Sequence, residues 1–115
     1  MPYYLIEVGY TAEAWAAMVK NPQDRIAAVA PAAAKLGGRI EVGYLAFGDY
    51  DLVTIAEFPD NTSAAAFALA ATSGGAVRAY KTTPLMTMAE GVAAMKKAGG
   101  AGYKPPAARK AAARR

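Results

Sequence analysis

Three stretches of this chain, residues 3–10, 39–47 and 52–58, carry apolar side chains on both of the faces that a β-strand presents. In YYLIEVGY (3–10), Tyr4, Ile6, Val8 and Tyr10 fall on one face, and Tyr3 and Leu5 on the other. In 39–47, Ile40, Val42 and Tyr44 point one way, and Leu45 and Phe47 the other. In 52–58, Leu52 and Phe58 oppose Val53 and Ile55. A sheet covered on one side only alternates more cleanly between apolar and polar residues. These strands therefore call for cover on both sides, and that requirement limits the fold more than any other feature.

The rest of the pattern says what can supply one of the two covers. Thr11 is placed to cap a short helix, with Glu13 in its first turn and Trp15, Met18 and Val19 on one side. Asn21-Pro22 predicts the end of that helix and the start of another, with Asn as cap and Pro at the first helical position. Ile26, Val29, Ala30, Ala33 and Leu36 keep helical spacing up to Gly37-Gly38, with Pro31 inside. Asp60 caps the alanine-rich helix that follows 52–58. A fourth strand is expected over 76–83, and TMAE (87–90) matches a capping box that opens a last helix to about Lys97. The order is strand, helices, strand, strand, helix, strand, helix. Two β-α-β halves around a central hairpin describe the ferredoxin-like α+β fold (βαββαβ, antiparallel sheet, helices on one face). The helices cover one face, so the other is expected to meet a second copy. Sheet-to-sheet packing of two copies gives a homo-oligomer of the dimeric α/β-barrel type.

Charge divides the chain in two. Residues 1–97 hold eight basic and nine acidic residues, a net charge of −1. Residues 98–115 add Lys104, Arg109, Lys110, Arg114 and Arg115 with no acid, +5. The expected organisation is a domain over 1–98 and a basic Pro/Ala-rich tail over 99–115, with the five basic residues as partner-binding candidates. A protein partner is expected for the tail. Nucleic acid is not, because only Tyr103 could stack on a base. No apolar run is long enough for a membrane span, and the N-terminus lacks the charge pattern of a secretory signal, so a cytoplasmic protein is expected.

The sequence contains neither cysteine nor histidine. Thiolate nucleophiles, disulfides and sulfur-held metals are excluded, together with the commonest general base and metal ligand. No cofactor and no metal is expected. AFGDYDLV (46–53) joins two strands through a turn in which Gly48 could take positive φ and Asp49 and Asp51 could hydrogen-bond nearby amides. Tyr50, at the hairpin tip, is a candidate partner contact. GDYD, the following LVTIAEFPD and the alanine-rich helix resemble the GYD domain family, small proteins without an established biochemical role, over about residues 3–98. The resemblance implies membership of the wider dimeric α/β-barrel superfamily, which includes cofactor-free monooxygenases, isomerases, haem enzymes and ligand-binding domains. The haem enzymes use a histidine ligand, which this chain lacks.

Two functions remain. One is a homo-oligomeric binding or assembly module that docks through its tail or barrel rim. The other is a small cofactor-free enzyme with a strand glutamate as general base, since a carboxylate in an apolar cavity has a raised pKa. Glu57 and Glu7 are the candidate bases; Glu57, between Ile55 and Pro59 with Phe58 beside it, is the acid expected to be buried, with Arg78 or Tyr80 as its partner. The module is the favoured reading, because exposed rim glutamates explain the acids as well and no convergent catalytic set is visible. Trp15, Met18, Met86 and Met88 read as core.

Overall fold

In the computed structural model, residues 1–107 are described. The elements are β1 (Tyr3–Tyr10), α1 (Ala12–Lys20), α2 (Arg25–Lys35), β2 (Arg39–Leu45), β3 (Leu52–Glu57), α3 (Asn61–Thr72), β4 (Val77–Leu85) and α4 (Met88–Gly99). The strands form one antiparallel sheet in the order β2-β3-β1-β4. This is the α+β ferredoxin-like arrangement expected from the element order. The chain forms two compact units, Met1–Leu85 and a second beginning at Met86.

Each helix starts where a side-chain oxygen meets its free backbone N–H groups. Thr11 accepts from the Ala14 N–H at 3.1 Å, and Asp60 accepts from the Ser63 N–H at 2.8 Å. α2 departs from expectation. Its cap is Asp24, which accepts from the Ala27 N–H at 3.1 Å, and Asn21-Pro22 lies in the preceding turn. Asp24 stands directly before the helix, two residues ahead of Ile26, where the apolar helical spacing begins, whereas Asn21 lies too far upstream to reach its first N–H groups. Pro31 lies inside α2, and Gly37, at φ 80°, carries the chain out of it.

Within the first unit, α1, α2 and α3 all pack on the even-numbered side of β1. Tyr4, Ile6, Val8 and Tyr10 join Leu52, Ala56, Phe58, Ala33, Ala64 and Phe67 in one core, with Trp15, Met18, Ile26, Val29 and Leu36 around it. Gly43 permits the α2–β2 contact, since a Cβ there would stand 2.5 Å from Ile26 Cδ1. β4 is an edge strand, which lets it continue through Pro84 to Leu85, two residues past the expected end.

β2 does not keep simple alternation. Its register against β3 shifts between Ile40 and Val42, so Ile40 pairs with Ala56 on the helix side while Val42 and Tyr44 pair with Ile55 and Val53 on the other. A bulge at Glu41 thus separates residues that strict alternation placed on one face.

The second unit holds α4. Thr87 accepts from the Glu90 N–H at 3.1 Å and the Glu90 carboxylate accepts from the Thr87 N–H at 2.8 Å, the expected capping box. Met86 and Met88 are exposed and not core residues, and α4 buries none of its residues. The apolar spacing of Met88, Val92 and Met95 is helical and amphipathic, a pattern that sequence alone reads as a buried face.

Candidate functional site

The hairpin between β2 and β3 is organised by Asp51. Its backbone N–H donates to the Val8 carbonyl, and its own carbonyl accepts from the Ala46 N–H, both at 2.8 Å. Its side-chain Oδ2 accepts from the Tyr10 N–H at 2.8 Å and from the Trp15 indole N–H at 3.3 Å, and lies 3.5 Å from the Arg78 guanidinium. The Tyr10 N–H, with help from Trp15 and Arg78, holds this carboxyl below the usual aspartate range despite partial burial. One side chain therefore fastens β1, α1 and β4 to the start of β3.

Arg78 also donates to the Asp49 carbonyl at 2.9 Å. Gly9 leaves it room, since a Cβ there would lie 2.7 Å from the guanidinium carbon. Gly48 does not have positive φ, and a Cβ on it would meet nothing within 4 Å. The expected turn device at Gly48 is thus absent, and the six-residue connection closes through Asp51 instead. Tyr50 is half-buried, whereas Phe47 next to Gly48 is wholly exposed (102%). Sequence reading placed Phe47 on a strand face, but β2 ends at Leu45 and leaves it at the tip.

The side of the sheet facing away from α1–α3 carries the other candidates. Val42, Ile55, Leu5 and Thr83 stand in one row across it, and Tyr44, Val53, Glu7 and Lys81 in the next. A third row brings Arg39, Glu57, Tyr3 and Leu85 together. Val42 is 37% exposed and Tyr44 68%. Leu5, Val53 and Ile55 are half-buried.

Glu57 is buried, as its apolar neighbours suggested. Its partner is neither Arg78 nor Tyr80 but Arg39, whose Nη2 stands 2.6 Å from Oε2, and the same guanidinium reaches Glu41 at 2.8 Å. Oε2 makes no further hydrogen bond among the described residues. The cross-strand register decides this pairing, because it sets Arg39 opposite Glu57 and leaves β4 two strands away. Glu7 shares the face with Glu57 but sits between Val53 and Lys81.

Tyr80 projects to the helix side, paired with Val8. Its hydroxyl is buried without a hydrogen-bond partner among the described residues, and burial pushes its pKa up to about 12. Thr82 offsets part of that rise without reaching hydrogen-bond geometry. The four catalytic candidates thus divide: Glu57 and Glu7 stand on the open face, Tyr80 beneath the sheet, and Arg78 beside the hairpin. Of the tail residues, Lys104 is exposed, while Arg109, Lys110, Arg114 and Arg115 lie outside the described residues.

Among the described residues, the first unit carries several hollows. A groove of about 340 Å3 runs between the α1–α2 turn and the β2 edge, lined by Trp15, Met18, Arg25 and Leu45 among others. A cavity of about 90 Å3 lies between sheet and helices, with Tyr10, Arg25 and Tyr80 in its wall. A third hollow of about 420 Å3 follows α3 and β4 at Leu69 and Pro84.

A family model described as GYD domain matches residues 4–95 of the 115. No curated protein and no solved structure matches the chain. Among the described residues, no helix is long and apolar enough to cross a membrane.

Proposed function

The chain belongs to the GYD domain family, and we propose that this member is a homo-oligomeric binding or assembly module, joined through the sheet face that α1–α3 leave open. The observation that carries the reading is the row Val42–Ile55–Leu5, apolar across three neighbouring strands and not part of the core beneath the sheet. Burying such a row stabilises association by about 25 cal/mol per Å2 removed from water. A second copy is the simplest partner, because an identical apolar row meets its own kind about a two-fold axis. Phe47, wholly exposed at the hairpin tip, serves as an anchor at the rim, with Tyr50 behind it.

In this reading the tail from Lys104 onward, with Arg109, Lys110, Arg114 and Arg115, docks the oligomer on an acidic protein surface in the cytoplasm. The glutamate-base reading is weaker, since Glu57 is occupied by Arg39 and Glu7 takes part in no ion pair among the described residues. Sedimentation equilibrium of the full chain at micromolar concentration tests the association. The expected mass is that of a dimer or larger assembly, and a monomer at every concentration would overturn the reading. Deleting residues 104–115 should leave both the association and the melting temperature unchanged, while weakening capture on an acidic peptide in a salt-dependent way.

A further inference from the structure

We propose that the groove between the α1–α2 turn and the β2 edge binds a small amphipathic carboxylate, an apolar and preferably aromatic body ending in one carboxylate group that Arg25 receives. The site stands at the β2 edge, lined on the helix side of the sheet except at Tyr44, and does not rest on association through the open face.

Its size is the first argument. About 340 Å3 falls within the range of roughly 300–1,000 Å3 typical of small-molecule sites. Its walls are the second. Trp15 and Met18 of α1, Ile26 of α2, Leu45 of β2 and Leu52 of β3 all line it. A flat ring meets an indole, a thioether and branched side chains there, which favour aromatic contact.

Charge is the third argument. Arg25 is the only basic residue in the lining among the described residues and is half-buried. A guanidinium presents five N–H donors in a planar fork that matches a carboxylate. One of them donates to Gln23 Oε1 at 2.6 Å, and no carboxylate lies within ion-pair distance of Arg25 among the described residues. The one acid in the lining, Asp24, is committed to the α2 cap through the Ala27 N–H. A single cation with an acid nearby suits a monoanion and disfavours a phosphate dianion.

Depth is the fourth. Arg25, Ile26 and Leu52 line both the groove and the inner cavity of about 90 Å3, so the two hollows share a wall at these residues. Arg25 also lies beside the Tyr10 phenol, where it opposes the rise in pKa that burial causes. The carboxylate would therefore sit at the inner end, with its apolar body extending outward past Trp15.

Trp15 is the only tryptophan in the chain, so its fluorescence reports on the groove directly. The full chain is titrated with 3-phenylpropionate, with the neutral isostere 3-phenylpropionamide, and with phenyl phosphate. Saturable binding of the carboxylate is expected with Kd below about 1 mM, and the amide should bind at least about tenfold more weakly. Arg25→Gln should bring the carboxylate down to the affinity of the amide and leave the amide unchanged. Leu45→Glu, at an exposed position on the groove wall, keeps the fold and should weaken the carboxylate. It decides the matter even if Arg25→Gln does not fold. No saturable signal, equal affinity for acid and amide, tighter binding of phenyl phosphate, or wild-type carboxylate affinity in a folded variant would each overturn the proposal.

Discussion

The two sides of β1 are built from similar residues and end in different circumstances. Tyr4, Ile6 and Val8 are 2%, 1% and 6% exposed, packed beneath three helices. Tyr3 and Leu5, their neighbours in sequence, share the opposite side with Val42 and Tyr44, which are 37% and 68% exposed. Both faces invest in apolar surface, and the first unit's own helices bury only one of them. Hydrophobicity in a strand therefore reports a need for cover without saying whether the same chain supplies it.

The largest expected effect separates the two sides in stability. Ile6→Ala should cost about 2–5 kcal/mol in urea unfolding, because it opens a cavity in a closed core. Leu5→Ala, one residue away, should cost well under that at protein concentrations too low for association. Equal losses would mean that both faces are packed alike within one chain.

Asp51→Asn comes next, with about 1–3 kcal/mol lost at neutral pH, since it weakens the node joining β1, α1 and β4 to the hairpin. The folded carboxyl titrates below its ordinary value. Its contribution is thus complete above about pH 3.9, the ordinary aspartate pKa, and is lost as pH falls through the lower folded value. The variant should show a flatter acid limb in a plot of stability against pH. An unchanged acid limb would remove Asp51 from its fastening role.

A smaller effect, of opposite sign, is expected on the covered side. Tyr80→Phe removes a buried hydroxyl without a partner and should raise stability by about 1 kcal/mol. The raised pKa of Tyr80, about 12, gives the fold a contribution present below about pH 10, the ordinary tyrosine value, and lost as pH rises through the folded value. The phenylalanine variant should lose less stability over that alkaline window, which a stability–pH series measures.

The smallest effect on folding belongs to Val42→Glu. Its side chain is on the open face and partly exposed, so unfolding at low protein concentration should change by only about 0.5 kcal/mol. Association should nevertheless disappear. Wild-type assembly by this variant in sedimentation would place the interface elsewhere.

Periodicity and end signals made most of the fold legible. Alternation in 3–10 and 52–58 sorted the residues onto two faces as the structure has them, and Thr11, Asp60 and Thr87 marked three helix starts that the structure keeps. The misses arose where a non-local partner decided the outcome. The bulge at Glu41 depends on pairing with β3, so alternation within β2 could not reveal it. Glu57 was legible as a buried acid, but its partner Arg39 follows from register, which a single strand does not contain. Asp51 of the GDYD stretch was legible as an acceptor for backbone amides, but the partners it takes, Tyr10, Trp15 and Arg78, lie 27 to 41 positions away in sequence. The groove at Arg25 left no local signal, because its walls come from two helices, the turn between them and two strands.

The central claim, that the open face is closed by a second copy, is tested most directly by isotope-filtered NOE spectroscopy on a mixture of 13C-labelled and unlabelled full chains. The account predicts intermolecular NOEs linking the methyl groups of Leu5 and Ile55 to those of Val42 and Val53. Their absence at concentrations where the protein is associated, or intermolecular NOEs confined to Met88, Val92 and Met95 of α4, would contradict it.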